Sequence, residues 1–439
     1  MPSPPSQAVI RSANLGLAVL SFINLFNYLD RYVVATLVES LKHSELALSD
    51  AKLGFLMTGF LLVYMLAAPV FGALGDRRPR PRLIAFGVGC WSIATALSGF
   101  AGSYAALLGA RALVGIGEAA YGTIAPSLLA DYFPSGQRGR VMAFFFCAIP
   151  VGSALGYVVG GLMDAHFGWR AAFFVAGAPG LLLAALCLLL TDPPRGAQDS
   201  PRRKSAAQTA PVAPTTSGHG AHATSMQQDA RATYRRLLHN PPYVLTVLGY
   251  AAYTFAMGGL AYWIPAFLER SRGIPRAEAT VSFGEIVVIT GFIGTFAGGW
   301  LGDYGARYSK QAFLLLSAVA TLGAVPFVWL ALTTRSHELY LTAMVIAQLL
   351  MFLSTGPINA AIVNLVAPVE RASAVALSIF SIHVLGDAVS PYLIGILSDA
   401  ASLAKAVQVV PVAVIVAAVL WFAAARAQQH SRALRPQRA

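Results

Sequence analysis

Four ionisable side chains lie inside long apolar runs: Asp30 and Arg31 in one, Arg111 and Glu118 in another. A charge facing lipid is costly, so each must face a polar partner or a water-filled space inside a helix bundle. Asp30 and Arg31 are neighbours, and on a helix their side chains diverge by about 100°. Each therefore needs a partner on another helix. Arg111 and Glu118 are seven residues apart and share one face. We expect Asp30 and Arg111 to meet across two helices. A guanidinium takes phosphate or carboxylate through two parallel hydrogen bonds, and a carboxylate that loses its guanidinium can take a proton instead. On this reading Asp30 and Glu118 handle the proton, with Glu118 tuning Arg111 or relaying, and Arg111 with Arg31 binds an anion. Two alternatives remain open. The four residues can form a static ion-pair network that only fixes packing, and Arg31 can snorkel or cap a local network.

The second half of the chain has fewer internal charges: Glu285, and His383 with Asp387 at i and i+4 on one face. They form a candidate second polar site, the alternative being a histidine that only bonds helix to helix. Tyr121, Tyr157 and Trp263, with Phe144, Tyr253, Phe255 and Tyr262, are candidates for lining an apolar cavity; packing or interface anchoring is the other reading. Cys90, Cys147 and Cys187 lie within apolar runs, without the spacing of a metal site or a disulfide framework. GxxxxGK[ST], HExxH and GxSxG are absent, so neither ATP-driven pumping nor a familiar enzyme is expected, and no cofactor.

The elements that position these residues follow from composition. The 439 residues are 56% hydrophobic and 11% charged. Mean hydropathy is +0.64. This is the balance of a polytopic membrane protein. We read about twelve membrane-length helices, near 13–41, 50–75, 82–101, 104–131, 138–164 and 169–190, then near 242–268, 279–302, 310–333, 337–366, 372–399 and 404–427. The fold class is thus all-α, with two pseudo-symmetric six-helix bundles over 1–190 and 241–439. The stretch 191–240, rich in Pro, Ala, Ser, Gln and charge, is expected to be a disordered linker. The first apolar run begins early, exceeds a signal core and contains Asp30 and Arg31, so we expect it to remain as a helix. The net charge of +12 is a matter of topology rather than of nucleic acid. Most Lys and Arg fall in alternate loops, the linker and the basic tail, which places both termini in the cytoplasm.

The halves echo each other. Gly72-Ala-Leu-Gly75-Asp76 closes the second helix and Gly299-Trp-Leu-Gly302-Asp303 the eighth. Gln137-Arg138-Gly-Arg140 before the fifth helix answers Glu370-Arg371-Ala-Ser373 before the eleventh. Two similar halves around a midplane site suit alternating access. In the loop running through Arg77, Arg80 and Arg82, small glycines permit close helix approach. Asp76 can meet a helix N-terminus and the arginines can meet carboxylates or lipid phosphates, a cytoplasmic gate shared with Asp303. The alternative is that these arginines are a topology signal only. The fifth helix carries Pro150, Gly152, Gly156, Gly160 and Gly161, read either as plain packing or as a place to bend.

The Gly72 to Arg82 loop resembles the signature loop of the major facilitator superfamily. Within it, Asn27-Tyr28-Leu29-Asp30-Arg31-Tyr32, Gly115-Ile-Gly117-Glu118-Ala119, Thr123-Ile-Ala-Pro126, Ala148-Ile-Pro150-Val-Gly152-Ser153-Ala-Leu-Gly156-Tyr157, Trp263-Ile-Pro265-Ala-Phe267-Leu268 and Leu385-Gly386-Asp387-Ala388-Val-Ser390-Pro391 resemble the Spinster family of lipid transporters. The resemblance implies a secondary transporter, proton-coupled, that moves an amphipathic anionic lipid such as a lysophospholipid or a sphingoid phosphate. It implies similar roles for Asp30, Arg111 and Glu118. A small organic-anion carrier or drug exporter is the alternative, and an uncoupled scramblase or transport-dead receptor the alternative of another class. The expected partners are the substrate, protons and membrane lipid, with no nucleic acid, in a monomer of the cell membrane.

Overall fold

The computed structural model describes residues 7–134, 138–198, 233–367 and 370–433. The side chains of Asp76, Gln137, Arg138, Arg140 and Arg371, the stretch 199–232 of the expected linker and the tail beyond 433 lie outside the described residues. Among the described residues, twelve helices are long and apolar enough to cross a membrane. They are α1 (Ser12–Thr36), α2 (Asp50–Gly75), α3 (Arg80–Gly99), α4 (Tyr104–Tyr132), α5 (Phe144–Phe167), α6 (Trp169–Cys187), α7 (Pro241–Arg272), α8 (Arg276–Ala306), α9 (Ala312–Thr333), α10 (His337–Asn364), α11 (Ser373–Ala400) and α12 (Leu403–His430). They run from 19 residues in α6 to 32 in α7. The described residues contain no strand, as expected where every backbone polar group must be satisfied within its own segment.

Local chemistry sets the helix ends. Ser49, Ser103, Asn240, Ser336 and Ser402 each accept a hydrogen bond from a backbone N–H of the turn they precede, satisfying donors a helix leaves open. Gly273 ends α7 in the left-handed region at φ 68°, where a side chain would be strained. Pro69, Pro126, Pro150, Pro179, Pro265 and Pro326 lie inside helices, as membrane helices tolerate.

The chain divides into two compact units. The first holds residues 1–214 and 274–284. In it α1 packs on α5, α3 on α4 and α6, and α2 on α4. Glycines make these contacts close. A Cβ on Gly156 would meet the Leu29 carbonyl at 2.6 Å, and one on Gly117 the Gly87 carbonyl at 2.5 Å. Gly152 and Gly160 press on α1 in the same way, so the small residues of α5 are packed against its neighbour. The start of α8, up to Gly284, belongs to this unit, where Arg276 donates to Asp164 at 2.6 Å and to Ser40, and Gly161 leaves room for Thr280. The second unit holds residues 215–273 and 285–439, with α7 packed on α12 and α9 on α10 and α12.

Three helices differ from the sequence expectation. The first does not run unbroken to 41: it ends at Thr36 and a short helix, Val38–His43, follows. The tenth breaks after Phe352 and resumes at Thr355, and Ser354 at the break bonds Thr321 of α9. The eleventh contains a π-turn, His383–Asp387, with Gly386 at φ −116°, ψ −108°. The start of the linker is also not free. Tyr132 donates to the Thr191 carbonyl, Arg80 to Asp192 and the Pro193 carbonyl, and Arg195 to the Gly75 and Arg78 carbonyls.

Candidate functional site

Asp30 is fully buried and Arg111 is 1% exposed. Arg111 Nη1 lies 3.3 Å from Asp30 Oδ2 and 3.4 Å from Oδ1, and Thr95 Oγ1 of α3 donates to the same carboxylate at 2.9 Å. Arg31 turns the other way, as adjacent helical positions must, and donates to Glu118 Oε2 at 2.7 Å. Two ion pairs thus join α1 to α4. The hydrogen-bonded partner of Glu118 is Arg31, not Arg111. Arg31 also lies over the rings of Tyr28, Phe60 and Tyr64 at 4.9, 5.2 and 5.4 Å, and Arg111 over Phe60 at 5.3 Å. These ring faces favour the cations in a dry setting.

The two pairs differ in tightness. A charge-assisted N–H to carboxylate bond is about 2.7–2.9 Å, which Arg31–Glu118 meets and Arg111–Asp30 exceeds. Arg111 Nε and Nη2 are buried with no partner among the described residues, as are Arg31 Nε, Glu118 Oε1 and Asn27 Nδ2. Arg80 is the contrast. It is equally buried, yet Asp192, Asp131 and the Ser127 and Pro193 carbonyls take up its guanidinium. A buried donor left open costs roughly 1–3 kcal/mol, and Arg111 carries two of them among the described residues.

The other candidates distribute as follows. Tyr121 donates to the Leu20 carbonyl beneath Trp91, Tyr157 is buried between Tyr32 and Phe283, and Trp263 donates to the Pro391 carbonyl. All three are packing residues rather than a cavity lining, because each polar tip or ring face is already taken. In the proposed gate, Arg80 is part of the buried network just described and does not reach lipid. Arg77 and Asp303 are exposed. Gly75 seats α2 on Ile124 of α4, whereas a Cβ on Gly72 would meet nothing within 4 Å. His383 Nδ1 lies 2.8 Å from Asp387 Oδ1, and exposed Glu285 is not bonded to either. Sequence reasoning missed Thr95, Phe60, Tyr64, Asp131 and Asp192. Only Thr95 carried a signal, as part of the buried Ser92-x-x-Thr95-x-x-Ser98 stripe in an apolar helix.

Two units of membrane-crossing helices, with a charged centre buried in the first and a broken, polar helix in the second, define a secondary carrier. The profile of the Major Facilitator Superfamily matches residues 20–391. Protein spinster homolog 1 of Xenopus laevis is 37% identical over 87% of this chain and 72% of its own length. The Homo sapiens protein of that name is 38% identical over 89% and 73%. Among solved structures, a bacterial homolog of the human lysosomal transporter Spinster, inward-facing and unoccupied, superposes with a TM-score of 0.82 at 23% identity, covering 97% of this chain and 99% of that one. A D-xylose–proton symporter reaches 0.67 at 18% identity over 92% and 96%. The chain belongs to the Spinster family of the major facilitator superfamily, and is a multi-pass membrane carrier that works by alternating access.

Proposed function

We propose that the protein moves an amphipathic anionic lipid, of the lysophospholipid or sphingoid phosphate class, in exchange for or together with protons. The observation that carries this reading is Arg111, buried and with two of its three guanidinium nitrogens unpartnered. A phosphate or carboxylate head group arriving at Nε and Nη2 completes the fork. It also competes with Asp30 for Nη1. Asp30, left with Thr95, is then a buried carboxylate without its counter-charge, a cost that a proton removes. Arg31–Glu118 stays closed through this exchange and holds α1 to α4. The lipid cargo follows the resemblance to the Spinster family, and a proton as the driving ion has a parallel in the D-xylose–proton symporter that shares the fold. The termini and linker face the cytoplasm in this reading, on the strength of their basic residues.

The test is flux of a labelled lysophospholipid in proteoliposomes, with and without an imposed pH gradient, for the native chain, Asp30→Asn and Arg111→Ala. Gradient-driven flux in the native chain that both variants lose is the expected result. Absence of lipid flux, with uptake of a small organic anion instead, replaces the cargo. Lipid flux indifferent to pH and to Asp30→Asn overturns coupling.

A further inference from the structure

The break in α11 is held open by α7. A Cβ on Gly386 would meet Thr254 Oγ1, and would come within 2.8 Å of the Ala251 carbonyl. Thr254 Oγ1 donates to the Ile382 carbonyl at 3.1 Å, just before the turn. Across the turn, His383 Nδ1 pairs with Asp387 at 2.8 Å to Oδ1 and 3.1 Å to Oδ2, and the two side chains are 25% and 30% exposed. One turn on, Ser390 Oγ is fully buried and has no partner. Gly258 of α7 leaves the space between them: a Cβ there would lie 2.7 Å from Asp387 Cβ and 3.1 Å from Ser390 Oγ. A discontinuous membrane helix with a carboxylate at the break is where carriers hold a coupling ion.

We propose that His383 and Asp387 form a proton-binding site of the second unit, separate from Asp30 in the first. Nδ1 is engaged with the carboxylate, so the proton enters and leaves at Nε2. With it the pair is imidazolium and carboxylate, net zero. Without it, neutral His383 donates Nδ1–H to Asp387 and the pair carries one negative charge. A net charge keeps the turn in contact with water, whereas a neutral pair can be withdrawn from it. Protonation therefore decides whether the break in α11 can enter a dry environment. The elements packed on the turn are α7 and the two halves of α11. From α7 the titratable group facing Asp387 is Tyr250, itself bonded by Asn359. Tyr243 and Tyr253 donate elsewhere, and Glu269, Arg270 and Arg272 fall at the far end of α7. Along α11, Asp399 lies about 18 Å away, and Tyr392 is in the first turn of the second half.

The site in transport rests on the coupled-carrier reading, but its protonation can be read without any transport. The first measurement is nitrogen NMR of the full chain labelled with [15N]histidine in lipid nanodiscs, with the His383 signal assigned by its loss in His383→Gln. We expect the His383 ring signals to change with pH, and that change to differ in Asp387→Asn. A ring that does not titrate, or a change indifferent to Asp387→Asn, overturns the proposal. The second measurement is lipid counterflow at equal pH on both sides. His383→Gln should remove a pH-dependent step that Asp30→Asn retains, and an unchanged profile in His383→Gln overturns the role in transport. If the native protein moves no lipid while His383 titrates as expected, the cargo assignment fails and the proton site stands.

Discussion

At the scale of single residues, two buried arginines have opposite surroundings. Arg80 has its guanidinium shared among two carboxylates and two carbonyls, whereas Arg111 has one long contact and two open nitrogens. Arg111→Lys keeps the charge but loses the fork. It should weaken apparent substrate affinity by about tenfold or more, measured by lipid binding to purified protein, while the melting temperature holds. Thr95→Val removes the one hydroxyl donor to Asp30 and should cost about 1–3 kcal/mol, read as a lowered melting temperature. The sequence revealed the four central charges because charge in an apolar run stands out. It also pointed to the Asp30–Arg111 pair, but not to the second one: Glu118 shares a face with Arg111 two turns away, and its pairing with Arg31 of another helix is decided by packing. Thr95 was legible only as one of the Ser92, Thr95 and Ser98 hydroxyls on one face of α3, and which of them meets Asp30 is decided by packing.

At the scale of helices, glycine position predicts tolerance. Gly117→Ala would push a methyl into the Gly87 carbonyl and the Trp91 backbone nitrogen, at 2.5 and 2.7 Å, and should destabilise by about 1–3 kcal/mol. Gly72→Ala has open space and should leave thermal stability unchanged. Melting curves in one detergent compare them directly. The tether of residues 192–196 has its own pH dependence. Burial pushes the Asp192 carboxyl up, but the hydrogen bonds and charge of Arg80, with Arg195, outweigh this and hold it below the ordinary carboxylate range. A depressed carboxyl stabilises fully above its unfolded value of about 3.9, and that contribution fades as pH falls through the folded value. Protection of the Gly196 amide, which donates to Asp131 at 2.9 Å, should therefore hold at neutral pH and fall in acid, and Asp192→Asn should lower it already at neutral pH. Helix number and order were legible because apolar runs of membrane length announce them. The breaks at Leu353–Ser354 and His383–Asp387 were not, because each depends on a neighbouring helix.

At the scale of the whole molecule, the membrane-crossing architecture was readable from hydropathy, and the echo of Gly-x-x-Gly-Asp announced two halves. The division of α8 was not readable, because residues 274–284 join the first unit through Arg276, Thr280 and Phe283, none of which stands out in an apolar sequence. Helix length carries one more consequence. The 19 residues of α6 rise about 28 Å and the 32 of α7 about 48 Å, against a hydrocarbon layer of about 30 Å. The short helix has no slack, whereas the long one can tilt. Bilayer thickness should thus act on α6 first: vesicles of longer-chain phosphatidylcholine stretch it, and turnover should fall there while head-group binding at Arg111 is unchanged. A carrier built this way takes the thickness of its own membrane as an input to its rate.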